Sequence, residues 1–435
     1  MKLVKSLLLG SAAGLAAVAG AQAADLPVKK AAPVEYVRVC STYGAGFFYI
    51  PGTETCLRVG GRARADYLYG EPLTRAQDAV GFRARGRLNI DTRTATAYGL
   101  LRAFVRYELT RSSGTPFGLG NTGAGSGAAT STNLAQAFVQ FGGLTAGRVT
   151  SFFSNADLPT GHMGTLRFDD APDVNLLAYT FSFGNGFSAT VSVEDGIDRR
   201  SGINNLFTTD PGLYAGQRVP DVVANVKYVG TWGGAQLSGA VHQIRSNNLL
   251  DINPVTGVPD FPDTEYGWAV SGTAHVNLPF LAPGDALWVA ATYADGAPAY
   301  LNGGLAGTVI SPFAAFENGA PTLVDATIDP VTGEFERSRA WAIAGGLRHY
   351  WTPEIRSNFF GSYLDSDSRV SVRTPADFRE YRVGANIFWQ PVTGLDLGVE
   401  VIYANTNLRG VSPATGLGFR DSNGWEGRFR VQRDF

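Results

Sequence analysis

Long hydrophobic runs are missing from most of this sequence. Beyond residue 23 no uninterrupted apolar stretch approaches the about 20 residues that a membrane-spanning helix needs, which excludes helical spans there. Charged residues are also scarce, at 17% of the chain, which is low for a secreted soluble protein. Basic and acidic residues nearly balance, 36 Lys and Arg against 38 Asp and Glu, so the charge gives no support for nucleic-acid binding.

Residues that could hold a metal or perform covalent chemistry are few. The chain has four histidines and two cysteines, and the histidines fall in different segments without the spacing of metal ligands. Residues 118–123 match the dinucleotide-binding glycine pattern only by letter, because no parallel strand precedes them and no helix follows. The sequence therefore predicts no catalytic residue, no metal site and no cofactor.

The N-terminus has the layout of a secretory signal peptide. Lys2 and Lys5 precede a run of small and apolar residues at 6–20, and Ala-Gln-Ala at 21–23 offers a cleavage site. The alternative, a retained membrane anchor, requires a longer and more strongly apolar run. We expect a signal peptide at 1–23, a periplasmic lead-in at 24–56 and a single further domain at 57–435.

Apolar and polar residues alternate along the rest of the chain. In the final segment, 425–435, apolar or small side chains hold most odd positions and polar or charged ones hold every even position. A period of two with one apolar face indicates a β-strand between two unlike environments. In lipid, only a closed barrel pairs every backbone group of such strands.

This alternation predicts sixteen strands, joined by connections that are short and long in turn. Short periplasmic turns and long outer loops are typical of outer-membrane barrels, whereas a soluble β-sandwich or propeller has no reason to alternate loop length. We therefore predict an all-β fold, a transmembrane antiparallel barrel with a wet, polar lumen. Its strands are expected near residues 57–69, 80–93, 98–109, 133–142, 144–150, 175–183, 186–195, 221–229, 235–244, 265–278, 286–294, 337–349, 354–364, 378–389, 395–404 and 423–435.

The two cysteines are Cys40 and Cys56, both before the first predicted strand. In an exported chain this pair is expected to form one disulfide that closes a short loop. The alternative is two separate thiols.

Arginines on the first three predicted strands all share the lumen-facing parity. They should form one basic wall, which fits a water-lined surface and not a packed core, where like charges on facing strands repel. The alternative, lipopolysaccharide binding outside the barrel, needs the opposite parity and places Leu88 and Val105 in the lumen. The predicted wall consists of Arg62, Arg64, Arg83, Arg85, Arg87, Arg102 and Arg106.

Both ends of the chain resemble the general porins of alphaproteobacteria. The resemblance rests on YVRVC at 36–40, YGAGFFYIPGTETCLRVGG at 43–61 and RVQRDF at 430–435. It implies a homotrimer of sixteen-stranded barrels in the outer membrane, in contact with lipid and lipopolysaccharide. It also implies that the third outer loop folds into each pore, and that small hydrophilic solutes and ions diffuse through passively.

If that loop folds inward, its acids should face the arginine wall across a narrow slot and influence ion selectivity. These acids are Asp157, Asp169, Asp170 and Asp173. An outward loop with solvated acids is the alternative. Other functions stay open: a solute-specific channel, for which Phe104, Phe138 and Phe360 are scattered candidates, a barrel enzyme, or an adhesion protein acting through loops such as 295–336.

Overall fold

The computed structural model describes residues 38–72, 75, 77–117, 127–208, 210–252, 255, 257–302, 323–370, 374–409 and 422–435. The expected signal peptide, most of the lead-in and the glycine motif at 118–123 lie outside these residues. No helix in the described part of the chain is both long enough and apolar enough to cross a membrane.

Sixteen antiparallel strands close into a barrel, as the alternation predicts. The last strand pairs with the first, from Arg62 opposite Asp434 to Gly70 opposite Glu426. The strands are β1 Cys56–Gly70, β2 Val80–Thr96, β3 Gly99–Ser113, β4 Ala128–Phe141, β5 Leu144–Thr150, β6 Asp173–Gly184, β7 Phe187–Glu194, β8 Asp221–Gly230, β9 Gly233–Ile244, β10 Glu265–Asn277, β11 Ala286–Asp295, β12 Arg339–Tyr350, β13 Ile355–Asp367, β14 Phe378–Val392, β15 Leu395–Leu408 and β16 Ser422–Asp434.

Short strands and single 3-10 turns lie before β1 and in the connections between the barrel strands. They are Phe48–Tyr49, Ile203–Asn205, Asp251–Ile252, Pro259–Asp260, Ala326–Ile328 and Phe335–Arg337, with turns at Ser41–Tyr43, Thr115–Phe117, Gly196–Arg199 and Pro298–Leu301. Several barrel strands extend beyond their predicted ends, for example β3, which continues from Leu109 to Ser113. The extension is polar on both faces, because a strand that leaves the lipid no longer needs an apolar side.

The apolar face of the barrel points outward. On β2 the exposed large side chains are Val80, Phe82, Leu88 and Ile90, all at even positions, and the odd positions from 81 to 91 are less exposed. This register matches the predicted parity, because a slip by one residue would turn the charged face toward lipid.

The lumen is not uniformly wet. Beside β8–β15 it contains an apolar cluster in which Phe153, Tyr300, Leu301 and Leu323 pack against inward alanines. These alanines are Ala240, Ala269, Ala294, Ala340 and Ala342. The expectation of a wet inner face is wrong for this half, because small inward side chains leave space that the loops fold in to fill.

The predicted disulfide is present between Cys40 and Cys56, whose Cα atoms are 6.0 Å apart. Both cysteines are buried against Phe47, with Tyr43 and Tyr49 packed beside them. The short strand Phe48–Tyr49 pairs with the start of β1. The disulfide therefore fixes the segment around Cys40 to the first residue of β1.

Candidate pore and constriction

Arginines cover the inner face of β1, β2 and β3, where the predicted wall was placed. Arg62 lies opposite Arg87, and Arg64 opposite Arg85, in the register of β1 and β2. Like charges directly opposite each other on a sheet are unfavourable unless other groups offset them. The wall therefore needs counter-charges.

Most of these counter-charges come from the wall itself. Asp66 accepts from Arg83 at 2.7 Å. Glu108 accepts from Arg87 at 2.5 Å and lies 3.3 Å from Arg85. In the same way Asp91 pairs with Arg102 at 2.9 Å, and Asp434 on β16 pairs with Arg62 at 2.5 Å.

Two arginines of the wall have no carboxylate partner among the described residues. Arg64 donates to the amide oxygen of Gln432 at 2.9 Å, and Arg106 donates weakly to Asn89 at 3.4 Å. Amide oxygens satisfy the hydrogen-bonding groups but carry no neutralising charge. The seven arginines outnumber the four carboxylates, and Asp66 and Asp91 are also shared with Arg430 and Arg93, so the wall keeps an excess of positive charge.

Residues 151–172, between β5 and β6, cross the lumen and are called the inner loop here. Its first part lies along the inner face of β8 and β9. Asn225 donates to the carbonyl oxygen of Phe152 at 2.6 Å, and Gln236 donates to that of Phe153 at 3.2 Å. The loop therefore folds inward, as the family resemblance implied.

The tip of the inner loop is bound to β14, β15 and β16. Glu400 accepts from the backbone N–H groups of Met163 and Gly164, each at 2.6 Å. Asn386 donates to the carbonyl oxygen of Gly161 at 2.8 Å. Within the described residues no hydrogen bond or ion pair joins the inner loop to β1, β2 or β3.

The returning part of the loop is anchored by a buried ion cluster. Arg167 pairs with Glu380 at 2.6 Å, and Glu380 also accepts from Arg382 at 2.7 Å. Burial, with Arg382 nearby, lowers the pKa of Arg167 to about 10, against the opposing effect of Glu380. Arg167 therefore stays charged at neutral pH, and the cluster fixes the loop to β14.

Two of the four predicted aspartates pair with cations outside the arginine wall, contrary to the expectation that they face it. Asp157 pairs with Lys227 of β8 at 2.6 Å. Asp169 pairs with Arg199 at 2.6 Å. Both partners lie on the half of the barrel where the loop rests.

The other two predicted aspartates have different surroundings. Asp170 lies 3.7 Å from Nε2 of His162 within the same loop. Asp173, the first residue of β6, accepts from Gln136 at 2.7 Å and interacts electrostatically with Arg106. Asp173 is thus the predicted acid whose charge reaches the wall.

The sequence reasoning missed the charged residues that hold the inner loop. Glu380, Arg382 and Glu400 all have lumen parity on β14 and β15, between outward residues such as Val383 and Val401. The alternation of inward and outward residues would have been enough to place these three side chains in the lumen. It could not identify the loop residues that they bind, because these lie more than two hundred residues away on a loop without regular structure.

Comparison with known proteins identifies the family. The model of the porin subfamily matches residues 25–427. This chain belongs to the porin subfamily. Porin Omp2b of Brucella canis is 30% identical over an alignment of 444 residues, which covers 99% of this chain and 99% of that protein. Porin Omp2b of Brucella abortus strain 2308 is similar to the same extent.

Solved structures share the fold of this porin. The outer membrane channel DcaP of Acinetobacter baumannii superposes with a TM-score of 0.64 at 17% identity, covering 89% of this chain and 99% of that one. The anion-selective porin from Comamonas acidovorans gives 0.53 at 11% identity, covering 88% and 100%. Family and fold together place this porin in the bacterial outer membrane.

Proposed function

We propose that this porin is a general diffusion channel, through which small hydrophilic solutes and ions pass passively between the inner loop and the arginine wall. The observation that carries the proposal is the path of the inner loop. It spans the lumen and bonds to β8, β9 and β14–β16, and within the described residues it makes no hydrogen bond or ion pair with β1–β3. A charged wall without a packed partner is stable only against water.

The same wall supports a preference for small anions. Its excess of positive charge lies in a confined space, where charges are screened less than on an open surface. Arg64 and Arg106 supply charge that no wall carboxylate neutralises. The four loop aspartates contribute less to the preference, because Asp157 and Asp169 pair with Lys227 and Arg199, which lie outside the wall.

A solute-specific channel is a weaker proposal. Phe104 and Phe138 lie side by side on the wall, with ring centroids 5.4 Å apart. Phe360 lies instead within 5.8 Å of His162 of the inner loop. Two neighbouring rings do not make a path along which a solute could slide, so the general channel is preferred.

The remaining expectations are part of the proposal. The family resemblance supports export directed by a signal peptide at residues 1–23. It also supports assembly as a homotrimer and contact with lipid and lipopolysaccharide. The outward apolar residues, among them Val226 and Leu237, fit lipid or a neighbouring subunit equally well. Passive diffusion needs no covalent step and no cofactor.

The test is the reversal potential of single channels in a planar bilayer across a salt gradient. The parent is expected to prefer anions, and Arg64→Gln with Arg106→Gln is expected to shift the reversal potential toward cations. One charge in such a slot changes ion entry by an amount on the order of 1 kcal/mol. Arg111→Gln is the matched control, because Arg111 lies exposed on the outward face of β3.

Two outcomes would contradict different parts of the proposal. A purified, folded barrel that conducts no current would refute the channel. A channel whose reversal potential is the same in the parent, the double variant and the control would leave diffusion intact but remove the wall from ion selection.

A further inference from the structure

A small polar cavity lies between the arginine wall and the packed half of the lumen, where the inner loop joins β6. Its volume is about 180 Å³. Pockets for drug-sized ligands measure about 300–1,000 Å³, so this cavity suits a molecule of only a few non-hydrogen atoms. Small apolar residues complete a lining whose polar members are Asn133, Arg148, Asp173, Asp198 and Arg199.

The cavity adjoins the arginine wall. Asn133 of β4 is exposed and lies opposite Glu108 of the wall in the register of β3 and β4. Asp173 at the start of β6 interacts electrostatically with Arg106 of the same wall. A solute that moves along the wall therefore passes within reach of the charged groups of the cavity.

Arg148 brings unused hydrogen-bond donors to the cavity. Its guanidinium donates through Nη1 to Oδ2 of Asp198 at 2.9 Å, and the described residues offer no acceptor to its Nε or Nη2. A guanidinium carries five N–H donors in a planar fork that matches a carboxylate. Arg148 can therefore bind Asp198 and the carboxylate of a solute together.

The two aspartates bring unused acceptors. Asp173 accepts from Gln136 at 2.7 Å and from Thr150 at 2.9 Å, and both hydrogen bonds end on Oδ1. Asp198 accepts from Arg148 through Oδ2. Within the part of the chain that the structure describes, Oδ2 of Asp173 and Oδ1 of Asp198 accept no hydrogen bond. Both oxygens can accept from an ammonium group.

The charges of the cavity favour a ligand that carries both signs. Arg199 is already neutralised by Asp169, at 2.6 Å. An anion would gain from Arg148 but would meet the carboxylates of Asp173 and Asp198, and a cation would meet the guanidinium. A molecule with one ammonium and one carboxylate can pair each charge with an opposite one. The cavity thus differs from the arginine wall, whose excess charge is positive.

The ion pair in the cavity can adjust to a ligand. The side chains of Arg148 and Asp198 are 27% and 32% exposed, so water already solvates both. Solvated ion pairs constrain their side chains only weakly. The fork of Arg148 can therefore turn toward a solute without disturbing the packed residues behind it.

We propose that this cavity is a binding subsite for small zwitterions, molecules such as glycine that carry an ammonium and a carboxylate close together. The carboxylate of the solute accepts from the free N–H groups of Arg148, and its ammonium donates to Asp173 and Asp198. The inference rests on the proposed channel function and deepens it, because a subsite beside the slot raises the local concentration of these solutes.

The experiment measures the binding of glycine to the purified porin in deuterated detergent by saturation-transfer NMR. Two probes of similar size each lack one charge: glycolate has a hydroxyl group in place of the ammonium, and ethanolamine has a hydroxymethyl group in place of the carboxylate. Glycine is expected to give a saturable signal and ethanolamine none. Any glycolate signal should come from the arginine wall and stay unchanged in the variants.

Two substitutions remove one charge each from the subsite. Arg148→Gln and Asp173→Asn keep the size of the side chain, and each should raise the glycine concentration for half-saturation by about tenfold, because a charge-assisted hydrogen bond is lost. The matched control is Arg356→Gln. Arg356 pairs with Asp396 at 3.1 Å on β13, eight strands around the barrel from β5, so this variant should bind glycine as the parent does.

The flux of uncharged glycerol into liposomes that carry the porin reports the channel separately from the subsite. Folding of each variant is checked by the mobility shift on heating that folded barrels show in gels. Glycerol flux without saturable glycine binding would overturn the subsite and leave the channel intact. Glycine binding that is unchanged in Arg148→Gln and Asp173→Asn, or equally weakened in Arg356→Gln, would overturn it as well. A folded parent that passes no glycerol would instead refute the proposed function.

Discussion

On β1–β3 the inward positions carry arginines and acids, whereas on β9–β12 the corresponding positions carry alanines such as Ala240, Ala269 and Ala340. Both regions have the same outward face of large apolar residues. The inward side chain therefore determines what fills the lumen beside each strand. Long charged side chains require water, and alanines admit a second layer of protein.

The packed half holds the inner loop with buried charge as well as with apolar contacts. Arg167, Glu380 and Arg382 are each almost completely buried, whereas the wall arginines Arg62 and Arg85 keep about a quarter of their side-chain surface exposed, 23% and 25%. A buried ion cluster depends strongly on each member, whereas a solvated pair depends on it weakly. Substitutions in the packed half should therefore mainly lower the stability of the barrel, whereas substitutions in the arginine wall should mainly change ion selectivity.

The largest effect is expected from Glu380→Gln. It removes the carboxylate between two buried guanidiniums, Arg167 and Arg382, so that their repulsion is no longer offset. Breaking a buried ion pair in this way costs about 3–5 kcal/mol. We expect a lower unfolding temperature, measured by the gel mobility shift on heating, and noisy currents from a released loop.

The matched control for that variant is Glu265→Gln. Glu265 pairs with Arg337 at 3.0 Å, and each side chain is about a third exposed, 34% and 33%. Arg337 also pairs with Asp295 at 2.7 Å, so little should change. Equal destabilisation by the two substitutions would contradict the contrast between buried and solvated pairs.

A smaller effect is expected from a larger side chain in the packed half. Ala340 is 1% exposed and belongs to the apolar cluster around Tyr300, so Ala340→Leu should overpack it and cost about 1–3 kcal/mol. Ala84→Leu makes the same change on the outward face of β2, where Ala84 is exposed to lipid. A lower unfolding temperature is expected for Ala340→Leu alone, and comparable losses in both variants would mean that the alanines do not limit the packing.

Sequence reasoning predicted the barrel well because a period of two is a local property. It placed Arg83, Arg85 and Arg87 on the correct face of β2 and found the short strand β5 at 144–150. It did not find the apolar cluster in the lumen, because inward alanines such as Ala290 and Ala344 lie between outward apolar residues and hide the alternation.

The residues that bind the inner loop also could not be predicted from local sequence patterns. Which aspartate meets which cation depends on contacts across the closed barrel, such as Asp157 with Lys227. Charge alone suggested the arginine wall as their partner, since it is the densest basic region of the chain. The wall instead has its own acids two residues or one strand away, for example Asp66 beside Arg64 and opposite Arg83.

The smallest effect is expected from Glu108→Gln, in the open half. Glu108 accepts from both Arg85 and Arg87, and although Glu108 is buried, both arginine side chains remain partly accessible to water, at 25% and 17%. The unfolding temperature should therefore fall by less than in Glu380→Gln, where all three side chains are buried. The substitution leaves two more arginine charges without a carboxylate, and on the order of 1 kcal/mol of added attraction for anions should follow. Reversal potentials in a salt gradient should then move toward anions, opposite to the shift expected for the double substitution of Arg64 and Arg106. An unchanged potential would show that ions do not pass close to Glu108, and a large loss of stability would show that the wall is packed as tightly as the other half.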